Sequence, residues 1–270
     1  MTSEAGSTSG PVAGPATGPA TGPTNGLAIR PDLVEAHENA WARIAAPGTW
    51  LSGAVRVEVA AEVRQATDCR HCVAIKSALA PYGVLGEHET RGILTRAHVE
   101  LIHRVFCDPG RLTERWTQTV LARQPHDGSH GGLTEGEYVE TVGIIAMVMM
   151  MDAFSLGLGL PIAPLPAAQA GEPSRYWPPG AKKQAAWLPL VEPQDTVESD
   201  GPLYPNPKAG YIYRALSLVP QTVRDYWSLA NVHYLPGKFV YRFDTTIRAI
   251  SRAQTEVLAA RVSALHLCSY

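Results

Sequence analysis

Cysteine is scarce in this chain of 270 residues. Only four are present, and two of them lie three positions apart. A small secreted domain stapled by disulfides would use more of them. Excess charge of either sign is also missing. A formal net charge of −2 gives no reason to expect nucleic acid or an anionic membrane as partner. No basic segment followed by an apolar one opens the chain, so a signal peptide is not expected. The most apolar run, Val142 to Met151, is bracketed by Glu140 and Asp152. It falls short of the roughly 20 residues a membrane span needs and reads as a buried core helix, with the methionines Met147, Met149, Met150 and Met151 filling the core. The expected compartment is the reducing cytosol, where a Cys-x-x-Cys pair is more often catalytic or metal-binding than a permanent bridge.

What the chain does contain is Asp68-Cys69-Arg70-His71-Cys72. Two thiols at the first turn of a helix, with Thr67 or Asp68 as the cap, sit in the partial positive charge of the helix N-terminus. That charge favours thiolate, the form that attacks peroxides and disulfides. A protonated His71 would push the same way.

Residues 1–27 repeat Gly-Pro-Ala-Thr units with almost no large apolar side chain, and read as a disordered tail. Helices are then predicted from Pro31 to about Ala45, from a Ser52 cap to about Gln65, and from Thr67 or Asp68 to before Pro81. Others are predicted from Thr95 to Asp108, and from the Thr134/Glu137 capping box to about Gly157. Residues from about 164 to 210 are dense in proline with Trp177 and Trp187 embedded, and read as an ordered surface strap. Helical patterning returns at Tyr211, with a last helix over roughly Thr245 to His266 carrying Ile247, Ile250, Val257, Val262 and Leu265 as apolar positions. No stretch alternates with period 2, so the class is all-α.

Glu58, Glu62 and Cys69 fall at spacings of four and seven. On one straight helix Glu58 would lie about 16 Å from Cys69. A turn near Thr67-Asp68 instead folds the next helix back, bringing Cys72 level with Glu62 or Val63 and Lys76 level with Glu58. Acid, base candidate and dithiol can then converge. The bland alternative makes Glu58 and Glu62 a solvated face, with Lys76 the ion-pair partner of one of them. Three readings of the dithiol stand: redox catalysis, an inert pair, and metal binding. A zinc site needs four ligands. Cys107 and Cys268 read as lone thiols, Cys107 as a small buried residue, and His98 and His103 are five apart, off the shared helical face. Glu140 and Asp152 read as helix-flanking charges.

Two segments resemble each other: Glu58-Val59-Ala60-Ala61-Glu62-Val63 leading to Cys69, and Glu256-Val257-Leu258-Ala259-Ala260-Arg261-Val262 leading to Cys268. The second copy ends at Cys268-Ser269-Tyr270, inside what would be another Cys-x-x-Cys. Together with His71 before the second cysteine, and with Leu133-Thr134-Glu135-Gly136-Glu137-Tyr138-Val139-Glu140 running into an apolar helix and Leu158-Gly159-Leu160-Pro161, this pattern resembles the AhpD-like alkylhydroperoxidase and carboxymuconolactone decarboxylase superfamily. The resemblance covers roughly residues 28–165 and 211–270 and implies two AhpD-like halves joined by a connector over 166–210.

The family motif is a Glu, eleven residues, Cys-x-x-Cys, three residues and a His. Here the motif Glu falls on Val57, with Glu58 one residue late, and Lys76 stands where the His belongs. Glu256 keeps the motif offset from Cys268. The resemblance implies Cys72 as peroxidatic nucleophile, Cys69 as resolving thiol, Glu58 or Glu62 as the acid, His71 as a tuning group, and Glu256 with Cys268 as a degenerate second site. It implies hydroperoxide as substrate in antioxidant defence, a thioredoxin-like or lipoyl-bearing dithiol as reductant, a homo-oligomer, and no metal, flavin or haem. An ammonium is a poor base near neutral pH, so Lys76 implies weak or altered peroxidase activity. The alternatives are a non-catalytic binding or assembly module and a decarboxylating lyase, which needs no dithiol.

Overall fold

The computed structural model describes residues 28–121, 131–265 and 268. The tail expected over residues 1–27 lies outside them. The fold is all-α: among the described residues, 55% are helical and 2% lie in strands. The helices are α1 (Pro31–Ala45), α2 (Gly53–Ala66), α3 (Arg70–Ser77), α4 (Arg96–Cys107), α5 (Glu114–Leu121), α6 (Glu135–Gly157), α7 (Tyr211–Arg214), α8 (Pro220–His233) and α9 (Arg252–Leu265).

Local chemistry sets most of these boundaries. Pro31 occupies the first turn of α1, where its missing N–H costs nothing. The Ser52 and Thr95 side chains accept from the backbone N–H groups of Val55 and His98, opening α2 and α4. Thr134 and Glu137 close a reciprocal capping box on α6. At α3 the expectation fails. The N-cap is Cys69 itself, with no side-chain cap bond, while Thr67 and Asp68 form the exposed turn before it. That places the first sulfur at the helix mouth rather than inside the first turn.

Helix α6 is the central element, packed against α2, α4, α8 and α1. It is long and apolar enough to cross a membrane by length and composition. In this fold it lines the core, with Ile144, Met147, Val148 and Met151 meeting Ile44, Val59, Ile102 and Leu229. Met149 is the departure from the all-core reading of the methionines, at 37% exposed. Glu140 and Asp152 do not merely flank the helix. Glu140 is fully buried against Arg56, and Asp152 takes a two-pronged bond from Arg64 at 2.7 and 2.8 Å.

The 164–210 segment is ordered along the surface. Gln169, Ser174 and Arg175 donate backbone N–H groups to the carbonyls of Ala45, Gly48 and Thr49. The segment carries a two-residue antiparallel pairing of β1 (Ala181–Lys182) with β2 (Leu190–Val191), and Val191 anchors a small cluster with Leu203 and Val223. Helix α5 was not anticipated from the sequence. Its eight residues bury only Trp116, Thr117 and Val120, too few positions to reveal a period. Helix α9 starts later than expected, because a 3-10 turn at Gly237–Phe239 is followed by turns and bends to residue 251, and Val257, Leu258, Val262 and Leu265 are all exposed on it.

Helices α1 and α8 meet at a histidine pair. The His37 and His233 Nε2 atoms lie 2.8 Å apart, with Phe154 edge-on to both rings. Burial, the neighbouring His37 and Arg30 push His233 down to about 4, and burial lowers His37 against the pull of Asp152. The unfolded chain therefore takes up protons first, near pH 6.5. Stability should be complete above that pH and fall as the pH drops toward 4. Because the pair is half-exposed, the loss should be about 1–2 kcal/mol rather than the full value of the shift. Urea unfolding at pH 7 and pH 4.5 checks this, and His233→Leu should flatten the difference between the two.

Candidate active site

The α2–α4 packing places Glu62, from the middle of α2, beside His103, from the last half of α4. Both are fully buried. His103 Nε2 lies 3.0 Å from Glu62 Oε1, and its Nδ1 lies 3.2 Å from Cys72 Sγ. Glu62 Oε2 in turn accepts the backbone N–H of Arg91 at 3.1 Å. A carboxylate can only accept, so Nε2 carries the imidazole hydrogen and Nδ1 turns its lone pair to the thiol. Burial is the largest influence on His103 and holds its pKa below the ordinary value despite Glu62. A neutral imidazole facing a thiol is a base in waiting.

A second histidine closes the other side. His88 comes from the irregular segment between α3 and α4. Its Nδ1 lies 3.6 Å from Cys69 Sγ and 3.5 Å from Cys72 Sγ, and its Nε2 lies 3.2 Å from Glu100 on α4. The Trp116 indole N–H, from α5, fixes the other oxygen of Glu100 at 2.7 Å. Burial works to lower His88, yet Glu100 and Cys69 outweigh it and raise its pKa. Burial likewise works to raise Glu100, and is outweighed by its bonds from His88 and Trp116.

The two sulfurs differ. Cys69 is completely buried, which favours the thiol, but backbone N–H groups of Cys72 and Glu89 together with His88 lower it below an ordinary thiol. Cys72 is raised, first by a shared hydrogen bond with the Cys107 thiol, then by burial and by the charge of Cys69. Cys69 is thus the more readily ionised of the two sulfurs, and Cys72 the less. Cys107, expected as a lone packing residue, stands next to Cys72 at the end of α4.

The other candidates fall outside this cluster. Glu58 pairs with Arg91 at the surface, 3.4 Å away, and does not reach the dithiol. Lys76 is exposed, and among the described residues it joins no ion pair. The one-turn offset between Glu58 and Glu62 puts the former outside the α2–α4 seam. His71 rests edge-on against the His88 ring at 4.9 Å and bonds to neither sulfur. Glu256 accepts from Arg252 and Tyr234, and Cys268 is exposed.

His88, Glu100, His103 and Cys107 were missed as site residues. For His103 the sequence held a signal, since His, at i, and Cys107, at i+4, share a face of α4. For His88 it held none, because an irregular segment has no period. Two cavities of about 360 and 380 Å³ open elsewhere, one against Tyr138 and Trp187, the other against Tyr213 and Trp227. Neither is lined by the dithiol cluster.

Comparison of the chain with protein-family models, curated proteins and solved structures gave no match. The function therefore rests on the residues themselves.

Proposed function

We propose that this chain is a cytoplasmic thiol-dependent oxidoreductase of AhpD-like type, reducing hydroperoxides through a Cys69/Cys72 dithiol. The observation that carries the reading is the buried line Cys72–His103–Glu62, a thiol with a neutral imidazole at its proton and a carboxylate behind the imidazole. His103 serves in this reading as the histidine that the resemblance implies, where this chain has Lys76.

In this reading His103 Nδ1 removes the Cys72 proton. The thiolate attacks the outer oxygen of the hydroperoxide, the O–O bond breaks, and the alkoxide leaves with the proton from His103 as an alcohol. Cys72 is now a sulfenic acid. The Cys69 thiolate attacks its sulfur, forming the disulfide and expelling hydroxide, which takes a proton and leaves as water. A dithiol reductant of thioredoxin-like or lipoyl type returns both electrons. Both buried sulfurs lie against His88, and Glu89 donates its backbone N–H to Cys69, so in this reading peroxide reaches Cys72 when that segment opens. The tandem arrangement of two AhpD-like halves and assembly as a homo-oligomer belong to the same proposal. The exposed Val257, Leu258, Val262 and Leu265 of α9 support an apolar contact there.

The test is thiol counting by intact mass on reduced protein, in the presence of a metal chelator, before and after one equivalent of an organic hydroperoxide. Four thiols should fall to two, with peptide mapping placing the bond at Cys69–Cys72, and Cys72→Ser should retain its remaining thiols. Four thiols persisting in the unmodified protein would remove the reading.

A further inference from the structure

The dithiol and its two histidines have a geometry that peroxide chemistry does not require. Ligand atoms of Cys69, Cys72, His88 and His103 all lie within 4.8 Å of one another. Zinc bonds of about 2.3 Å to sulfur and 2.0–2.1 Å to nitrogen, at tetrahedral angles, imply sulfur–nitrogen edges of about 3.5 Å. Three of the four sulfur–nitrogen edges are 3.2, 3.5 and 3.6 Å. Each imidazole turns Nδ1 inward and has Nε2 held by a carboxylate, Glu62 for His103 and Glu100 for His88. This is the outer arrangement that orients metal-bound histidines. Those carboxylates are themselves fixed, by the Arg91 backbone N–H and the Trp116 indole.

We propose that Cys69, Cys72, His88 and His103 bind one zinc-class divalent cation in a closed tetrahedral site that masks the dithiol. Both cysteines enter as thiolates, their protons passing to solvent, and their two negative charges cancel the cation in a buried centre. Four protein ligands leave no open position, so the ion serves as a guard and not as a Lewis acid. While bound, it removes His103 from its role as base and both sulfurs from attack. Metal occupancy and thiol redox chemistry are thus mutually exclusive states of one cluster. The metal site itself needs only the four donors and does not depend on the peroxide reading.

The experiment uses the full chain, reduced and stripped of metal, titrated with Zn²⁺ against a chromophoric chelator and separately with Co²⁺. One equivalent of zinc should bind. Cobalt should show the intense visible absorption of a tetrahedral ion together with thiolate-to-metal charge transfer in the ultraviolet. Zinc X-ray absorption should give two sulfur and two nitrogen neighbours. His88→Ala and Cys69→Ser should each weaken binding at least 100-fold. Glu100→Gln, which acts through His88, should weaken it about 10- to 100-fold and leave the two-sulfur, two-nitrogen shell intact. Zinc-loaded protein should resist alkylation at Cys69 and Cys72 while Cys268 still reacts.

Sub-stoichiometric binding, a weak six-coordinate cobalt spectrum, or His88→Ala binding as tightly as the parent would overturn the proposal. The spectra of the unmodified chain decide it even if a variant fails to fold. Because the hydroperoxide assay is run with chelator present, zinc binding without thiol loss overturns the redox reading alone, and thiol loss without zinc binding overturns this inference alone.

Discussion

Arg56→Met is expected to lower the folding stability by about 3–5 kcal/mol, the cost of leaving one member of a buried ion pair without its partner. Arg56 is 4% exposed and Glu140 is fully buried. The Arg56 guanidinium donates to Glu140 and also to the Arg43 carbonyl at 3.1 Å, while Trp50 donates its backbone N–H to Glu140 at 2.6 Å. One carboxylate thus ties α2, the 47–51 loop and α6 together, and the guanidinium adds the end of α1. Burial already pushes Glu140 above the usual carboxylate range, with Arg56 the chief opposing influence. Without Arg56 the carboxylate must either stay charged in an apolar surrounding or take up a proton. The double variant Arg56→Met, Glu140→Leu should recover most of the loss, since two apolar side chains carry no desolvation cost. Guanidinium unfolding of the three chains measures this. A double variant as unstable as the single one would mean that the bonds to Trp50 and Arg43, not the unpaired charge, dominate.

The second large effect is expected at His103. His103→Ala should slow oxidation of Cys72 by hydroperoxide about 10²- to 10⁴-fold, the range contributed by a positioned base. The Cys107 thiol beside it and burial both push the Cys72 thiol up, and the His103 imidazole lies 3.2 Å from its sulfur. Glu62 acts through His103, holding the ring with Nδ1 toward the sulfur, and is a positioning residue. Glu62→Gln should slow the reaction by a smaller factor. Adding Glu62→Gln to His103→Ala should change nothing further, whereas a purely structural role would add its own loss. Lys76→Ala should react as the unmodified protein does, being exposed and outside the cluster. Single-turnover kinetics under chelator, followed by thiol loss, reads all four variants.

The contrast between Lys76 and His103 shows how far the residues alone could lead. The Cys-x-x-Cys pair was legible because its chemistry is local: two sulfurs on one turn. Glu62 was legible as one of two acids a turn apart, but which of them faced inward was not. That choice depends on which side of α2 meets α4, and both acids sit beside apolar positions in the sequence. The residues offer base candidates only near the thiols, at Lys76, His71 and the α2 acids. The imidazole that meets Cys72 comes from another helix, 31 positions further on. For the metal-binding reading, helical spacing offers no further ligands, whereas the two histidines that close on the dithiol come from different elements.

By itself the sequence determined the elements that local physics controls. Pro31, Ser52, Thr95 and the Thr134/Glu137 box satisfy or excuse unpaired N–H groups, and so start α1, α2, α4 and α6 wherever they are placed. It also determined the all-α class, through the absence of period-2 alternation, and the Cys-x-x-Cys pair. The tertiary structure alone decided the late start of α9, the burial of Glu140 against Arg56, and the cluster of Cys69, Cys72, His88 and His103. The last two bring together groups far apart in the chain. Their energies come from burial and from charges meeting in a low-dielectric interior, and neither exists until the helices have packed.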